Sequence, residues 1–310
     1  MAGKRGNLLL WLVIGGGALL FFTVSLIALA VFVSEEEAPA FSLAHNQLAL
    51  LELEGIILDS KEFTDQLKAF GKRSPVRAVV LRLNTPGGGV AASQEIYAGL
   101  RRYRAETGRP VVASFGGVAA SGGYYVACAA DRIVANPGSL TGSIGVILTF
   151  PNAEGLLDRI GIRFRSIKSG PMKDQGAYWR DLTEDERIVL QSMVDDVYEQ
   201  FIDAVEDGRR ISREEILPLA DGRALSGRQA LEAGLVDTLG DLTLALDVAR
   251  RLGGLRGDSP IVRPPEKRER LLDWLQRSSS RLPGIVQPAM SLEYRLSPPL
   301  LGGVVGQPTR

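Results

Sequence analysis

Residues 116–131 read GGVAASGGYYVACAAD and set one serine, Ser121, between small residues and a glycine pair. A short apolar run, 110–115, leads into the stretch, and a helical pattern occupies 122–130. The local reading is a strand, a tight turn and a helix, with one hydroxyl presented at the turn. Working outward, β-branched or apolar runs fall at 48–57, 76–84, 132–136, 143–148 and 163–168, with helical patterns between them at 61–72, 91–105 and 152–160. Strands alternating with helices at this spacing predict an α/β fold with largely parallel pairing. A long amphipathic helix is expected over 184–207, entered through Thr183 and Glu186 as a Thr-x-x-Glu capping box. Shorter helices follow near 213–219, 228–233 and 242–252, with Gly234 and Gly253 as stops.

Composition removes several function classes. The 310 residues carry 36 basic and 36 acidic side chains, so nothing electrostatic points to nucleic acid as a partner. A lone Cys128 in the run YYVACAA cannot form an internal disulfide and reads as a buried structural thiol. The single histidine, His45, excludes a paired-histidine zinc site, and no motif calls for a metal or cofactor.

The ends differ from the middle. Residues 8–33 form 26 positions without a charge, preceded by Lys4 and Arg5 and followed by Glu35, Glu36 and Glu37. Such a run spans a bilayer, and the basic flank predicts a cytoplasmic N-terminus with the rest outside. The small-x-small triplet Ala28-Leu29-Ala30 offers a cleaved signal peptide as the rival, but the apolar core exceeds the usual length of one. The expected layout is an anchor over 1–34, a linker over 35–47, a catalytic domain over 48–254 and a partly ordered tail over 255–310. Within that tail, 268–277 (RERLLDWLQR) is a short amphipathic piece.

Ser121 admits two readings. Serine is a good helix N-cap, and Gly122-Gly123 would let that helix pack closely. A nucleophile at the same place needs a base within hydrogen-bond reach. The α/β-hydrolase elbow pattern is absent, since Ala119 stands where that motif has glycine. Seven lysines can be searched in full. Lys4 precedes the apolar run, Lys267 lies in the tail, and Lys61, Lys68 and Lys72 share one helix face. Lys168 and Lys173 remain, in SIKSGPMKDQG. Lys168 alternates with basic residues in an expected strand, whereas Lys173 follows that strand's end, so Lys173 is the better candidate. Neutralising it at about pH 7 costs roughly 4.6 kcal/mol, so the site must exclude water. Asp174 must also be engaged elsewhere, for example by an arginine. The run 83–90, LNTPGGGV, supplies a glycine turn after a strand, where Gly87 and Gly88 leave backbone N–H groups open to close approach. It lacks the signatures of a P-loop or a dinucleotide site. Ser143, in TGSIG, could orient the lysine or be an ordinary turn serine.

Four stretches in this order resemble the signal peptide peptidase A serine peptidases: LNTPGGGV, VAASGGYYVACAADRIVANPGSLTGSIGV, SIKSGPMKDQGAYWRDLTEDER and DGRALSGRQALEAGLVDTLG. The resemblance covers roughly 48–254 and implies a Clp protease/crotonase-like fold, a repeated ββα superhelix, behind one transmembrane helix. It implies Ser121 as nucleophile, Lys173 as general base, Ser143 beside the lysine, and an oxyanion hole from backbone near Gly88 and Gly122. It further implies cleavage of remnant signal peptides at the cell membrane, and a homo-oligomer, thought to be octameric, whose sites combine residues of neighbouring protomers. Two other classes remain open to the sequence: a crotonase-type acyl-CoA enzyme, and a membrane-tethered scaffold with a decayed site.

Overall fold

A computed structural model describes residues 21–23, 25, 46–264 and 292–295. The chain divides into two units, 1–45 and 46–310, and the fold described below is that of the second. The expected anchor over 8–33 lies outside the described residues except for 21–23 and 25, and the amphipathic piece at 268–277 lies wholly outside them. Among the described residues no helix is long and apolar enough to cross a membrane.

In chain order the strands are β1 (Gln47–Glu54), β2 (Val76–Thr85), β3 (Gly87–Gly89), β4 (Val111–Ala120), β5 (Arg132–Ala135), β6 (Leu140–Gly142), β7 (Ile147–Leu148), β8 (Ala224–Ser226), β9 (Thr238–Leu239), β10 (Ile261–Val262) and β11 (Leu292–Arg295). The helices are α1 (Lys61–Lys72), α2 (Val90–Thr107), α3 (Gly122–Ala127), α4 (Glu154–Ile160), α5 (Glu184–Arg209), α6 (Arg213–Ile216), α7 (Gly227–Glu232) and α8 (Leu242–Leu252). The main sheet runs β10-β1-β2-β4-β5-β9, every neighbour parallel. Strand β6 joins β4 in parallel, and β8 lies antiparallel on β6.

A parallel sheet covered on both faces needs strands apolar at consecutive positions. That is why 48–51 and 78–81 read as unbroken runs. Ala49, Leu51, Val79, Leu81, Ala113 and Ile133 face one core, shared with α1, α2, α3 and α5. Their neighbours Leu48, Leu50, Ala78, Val80, Val112 and Val134 face the other core, closed by Ala245 and Ala249 of α8. The capping box of α5 forms as expected: the Thr183 hydroxyl accepts from the Glu186 N–H at 3.3 Å, and the Thr183 N–H donates to Glu186 Oε2 at 3.0 Å.

Strand β4 changes partners midway, and this positions the serine. Its first half pairs with β5 at 112–114, its second with β6 at 118–120. Gly116 and Gly117 sit at the change, where a side chain on Gly116 would press on Asn84 at 3.0 Å. The two glycines lie in the irregularity between the Leu83–Phe115 and Thr85–Ala119 pairs, and the strand runs on to its end at Ala120.

The sequence reading departs from the structure in one long segment. Residues 163–168 form no strand; 161–169 are all exposed and join no sheet. The alternation in RFRSIK marks an extended stretch that has no sheet to join. The strand expected over 143–148 is reduced to β7, and strands β10 and β11 lie beyond the expected domain boundary at 254.

Helix α5 crosses the end of α3 at Gly208, where an added Cβ would lie 2.2 Å from the Cys128 carbonyl oxygen. Backbone on both sides leaves no flexible group to yield, so Gly208→Ala is expected to destabilise by about 1–3 kcal/mol. Gly155, in α4, has nothing within 4 Å of the same position. Gly155→Ala should be neutral or stabilising by up to about 1 kcal/mol. Thermal melts of the two variants check the contrast.

Candidate functional site

Ser121 follows the last residue of β4 and occupies the N-cap position of α3 with φ 53° and ψ −118°. This region is hard for a side-chain-bearing residue to adopt and persists only where neighbours impose it. Two backbone bonds do so. The Ser121 N–H donates to the Gly142 carbonyl at 2.8 Å, and its carbonyl accepts from the Tyr125 N–H at 2.8 Å, the first bond of α3. The cap position is thus as the sequence suggested, yet the side chain makes no capping hydrogen bond. The hydroxyl is buried and has no hydrogen-bond partner. A capping serine spends its oxygen on the helix. This one does not.

Helix α3 is held rigidly behind the serine. The Tyr124 hydroxyl donates to the Leu235 carbonyl at 2.9 Å, and burial raises its pKa well above the ordinary range. Cys128 is buried, and burial pushes its thiol up to about 12, which makes it the inert packing group expected from the sequence. Gly123 lies against Thr85 at the end of β2, where an added Cβ would meet Thr85 Cγ2 at 2.6 Å. Thr85 in turn accepts the Gly87 N–H on its hydroxyl at 3.1 Å. The glycine loop and the serine helix are therefore locked through Thr85, a buried residue that the sequence pattern gave no reason to single out.

Gly87 has φ 98° and needs to be glycine for that reason. Its N–H is taken by Thr85. Gly88 is required by close approach of a different kind from a ligand's: a Cβ there would lie 2.2 Å from the Ile57 carbonyl oxygen. Ser143 shares the strain of Ser121, with φ 51°, and is also buried. Its N–H donates to the Arg223 carbonyl at 2.8 Å. Since Gly142, its neighbour, accepts from Ser121, the two strained serines sit at adjoining strand ends. Ser121, Gly122, Ser143, Gly87 and Gly88 all gather at the carboxyl ends of β2, β4 and β6, where open α/β sheets bind ligands.

Lys173 stands apart. It lies in a short 3-10 turn, Pro171–Asp174, and is exposed. Its ammonium has no ion-pair or hydrogen-bond partner among the described residues. Asp174 does point elsewhere, as the lysine argument required: it accepts from Arg180 at 2.7 Å and pairs with Lys168. Those two cations hold its carboxyl down at about 2, the Arg180 hydrogen bond contributing most. Arg180 also donates to buried Glu186 at 2.8 Å, and that contact lowers Glu186 to about 2. Arg180 ties the Lys173 turn to the start of α5, a role with no signal in the sequence beyond the expectation of some arginine.

A mixed α/β chain with a parallel-rich sheet and one strained, unspent serine at a strand-to-helix turn defines the class. Residues 104–256 match peptidase family S49, a span that includes Ser121, Ser143 and Lys173 but not the glycine loop. The match to family S49 and the relatives named below support a relation to the signal peptide peptidase A-type serine peptidases. It is 46% identical over 181 residues to a Synechocystis protein provisionally named a protease, a match covering 58% of this chain and 65% of that one. It is 34% identical over 229 residues to an Enterococcus faecium protein provisionally named signal peptide peptidase SppA, covering 70% and 66%. Protease 4 of Salmonella typhi is 36% identical over 218 residues, covering 67% of this chain and 35% of that protein. The matches thus span slightly under two thirds of the first two relatives and about a third of the last.

The backbone strain at Ser121 has a measurable consequence. Ser121→Gly removes a disfavoured conformation worth about 1–3 kcal/mol and adds about 0.5–1 kcal/mol of chain entropy. The variant is expected to melt a few degrees above the parent. A lower melting temperature would show that the conformation is not strained.

Proposed function

We propose that this chain is a membrane-anchored serine endopeptidase that cuts apolar peptides, remnant signal peptides among them, with Ser121 as nucleophile and Lys173 as general base. One observation carries the reading: a serine forced into a strained turn whose hydroxyl is spent on no structural hydrogen bond, in a chain that matches peptidase family S49 over residues 104–256. In this mechanism Ser121 Oγ attacks the scissile carbonyl as its proton passes to Lys173 Nζ. The N–H groups of Gly88 and Gly122 receive the oxyanion. Gly122, first in α3, has no intrahelical acceptor for its N–H, which favours this role. Collapse of the tetrahedral intermediate breaks the C–N bond and returns the proton from Lys173 to the leaving amine. Water then releases the acyl group by the same route in reverse. Ser143 supports the lysine.

Lys173 can act only if it is dried, and in the single chain it is exposed. The segment that carries it supports the remedy. Ile162, Phe164 and Ile167 are 48%, 45% and 105% exposed, and Leu156 and Ile160 of α4 are 62% and 58% exposed. An apolar arm of this kind asks for a covering surface. A homo-oligomer, octameric in the family it resembles, would supply one and would carry Lys173 to the Ser121 of a neighbouring protomer. The Clp protease/crotonase-like repeated ββα superhelix is the fold assigned under this reading, which the parallel-rich sheet supports.

Ser121→Ala and Lys173→Ala should each lower turnover of an apolar peptide by at least about 10³-fold without lowering the melting temperature. Mixing and reassembling the two inactive variants should restore about a quarter of the sites if each is built from two protomers. Full turnover by Lys173→Ala would remove the lysine from the mechanism, and failure to complement would place both residues in one chain.

The Arg180 network gives a separate test with a definite sign. In the double variant Arg180→Gln, Glu186→Gln the capping box survives, since glutamine serves at that position. Asp174 is then released from its main partner. Held by Lys168 alone, the Asp174 carboxylate is freer to favour the ammonium form of the neighbouring lysine, so the acid limb of kcat/KM should move to higher pH. A limb that stays or moves down would show that Asp174 does not reach the lysine.

A further inference from the structure

At the end of the sheet away from Ser121, six arginines line one cavity: Arg101, Arg104, Arg109, Arg132, Arg209 and Arg210. Its volume is about 690 Å³, and it opens among the starts of β4 and β5 and the last turns of α2 and α5. Three carboxylates share the wall, those of Asp131, Asp207 and Asp237. Ser121, Ser143, Lys173 and the glycine loop take no part in it.

The carboxylates are largely committed to structure. Asp131 accepts the Val111 N–H at 2.8 Å and pairs with Arg104. Asp237 accepts the Ile133 N–H at 2.7 Å and pairs with Arg209 at 3.0 Å. Each thereby fixes the start of a strand, β4 or β5, which accounts for its presence without any ligand. Asp207 pairs with Arg101 at 3.2 Å. Arg132 reaches Asp237 only at 4.0 Å, and Arg109 and Arg210 have no carboxylate partner among the described residues. Helix carbonyls also draw on the arginines: Arg109 donates to Phe70 near the end of α1 at 3.0 Å, and Arg104 to Ala129 just after α3 at 2.7 Å. The longer helices α1, α2, α5 and α8 end around the cavity, each end worth about half a negative charge. The excess of arginines over aspartates outweighs that sum, and the cavity stays positive.

Arg209 forms the inner wall. Its side chain is 6% exposed, and its Nε–H is buried with no hydrogen-bond partner. A buried guanidinium N–H left unmatched is costly, and an acceptor drawn against that wall would satisfy it. Crowding guanidinium groups into a concave site also costs self-repulsion, which the same anion relieves. The lining limits what the anion can be. No aromatic side chain is present to stack a base, and Leu252 is the only large aliphatic one, so neither a nucleobase nor an acyl chain finds a wall. The planar fork of arginine matches phosphate oxygens two at a time. A single phosphate would meet few of six arginines spread around a cavity of this size.

We propose that this arginine-lined cavity binds a compact, soluble anion carrying two or more phosphoryl groups, such as a condensed phosphate or a multiply phosphorylated sugar. The site is independent of the peptidase reading. To test it, tripolyphosphate is titrated by calorimetry into the full chain, with inorganic phosphate, citrate and a short-chain phosphatidylinositol bisphosphate as separate arms. Tripolyphosphate is expected to bind at least about tenfold more tightly than phosphate or citrate, and no more weakly than the lipid. At a hundred times its Kd it should raise the melting temperature by about 5–10 °C. The cavity variant is Arg132→Gln with Arg210→Gly. Arg132 is exposed, and Arg210 has φ 56°, which glycine adopts freely, so the Arg209–Asp237 pair and the fold are left in place. This variant should bind tripolyphosphate at least about tenfold more weakly. A control that removes two exposed arginines elsewhere, Arg187→Gln with Arg228→Gln, should bind as the parent does. Equal weakening in both variants would reduce the effect to net charge and overturn the proposal. So would no weakening in either, no binding of tripolyphosphate, or tighter binding of citrate or of the lipid.

Discussion

The Ser121 N–H bonded to the Gly142 carbonyl at 2.8 Å is the contact on which the rest of the site depends. It pins the end of β4 to the end of β6 while the Ser121 carbonyl is already committed to the first turn of α3. Between these two bonds the backbone has no route other than φ 53°. Every surrounding choice serves that crossing. Residues 119–130 are buried throughout and mostly small, so nothing competes for the space at the turn. Thr85 and Gly123 fix the distance from the helix to the glycine loop. The strain is tolerated because a two-faced parallel sheet, with an apolar core on each side, resists deformation at its carboxyl edge.

Under the proposed mechanism, the same arrangement explains why the base has to come from elsewhere. A site made from strand ends packed this tightly is apolar and short of titratable groups, and among the described residues no histidine approaches it. Lysine is the residue whose charge such surroundings can remove. It cannot sit in the preformed pocket of one chain without being desolvated before assembly, at a cost of several kcal/mol to folding. Carrying it on an exposed arm, with its neighbouring carboxylate engaged by Arg180 and Lys168, would leave folding untouched and, under the proposed function, defer desolvation to association. Under the proposed function, folding stability and catalytic competence would thereby be separated, which is the physical logic for dividing a site between protomers.

Much of the main architecture was legible in the sequence, and for physical reasons. Strands buried on two faces read as continuous apolar runs, so β1, β2, β4 and β5 were visible; the capping box announced α5 to within its last turn. What was missed is short or non-local. Strands β3, β8, β9 and β10 have two or three residues each and exist through their partners, which no local pattern encodes. Residues 163–168 were misread because alternation reports an extended backbone, not the presence of a sheet. At the site, the strained position of Ser121 was announced by its small neighbours, Lys173, singled out by elimination, stands apart from it in the single chain, and the expectation that an arginine holds Asp174 was met by Arg180. Thr85 was not visible, since its importance lies in two contacts made across the sheet.

The glycine loop shows how an apparent ligand signature can have a structural origin. Three glycines after a strand suggest room for something bound, yet Gly88 lacks a side chain because the Ile57 carbonyl occupies that space, and Gly87 because its φ demands it. Chemistry is left only to the backbone edge that these two constraints aim away from Ile57. That edge is geometrically a strand, so whatever it meets must be a strand as well. The chain's own segment at 292–295 satisfies this condition, and under the proposed function an extended peptide would as well. Under the proposed function, selectivity among peptides would then come from the walls beyond the edge, where the small buried residues around Ser121 admit little bulk.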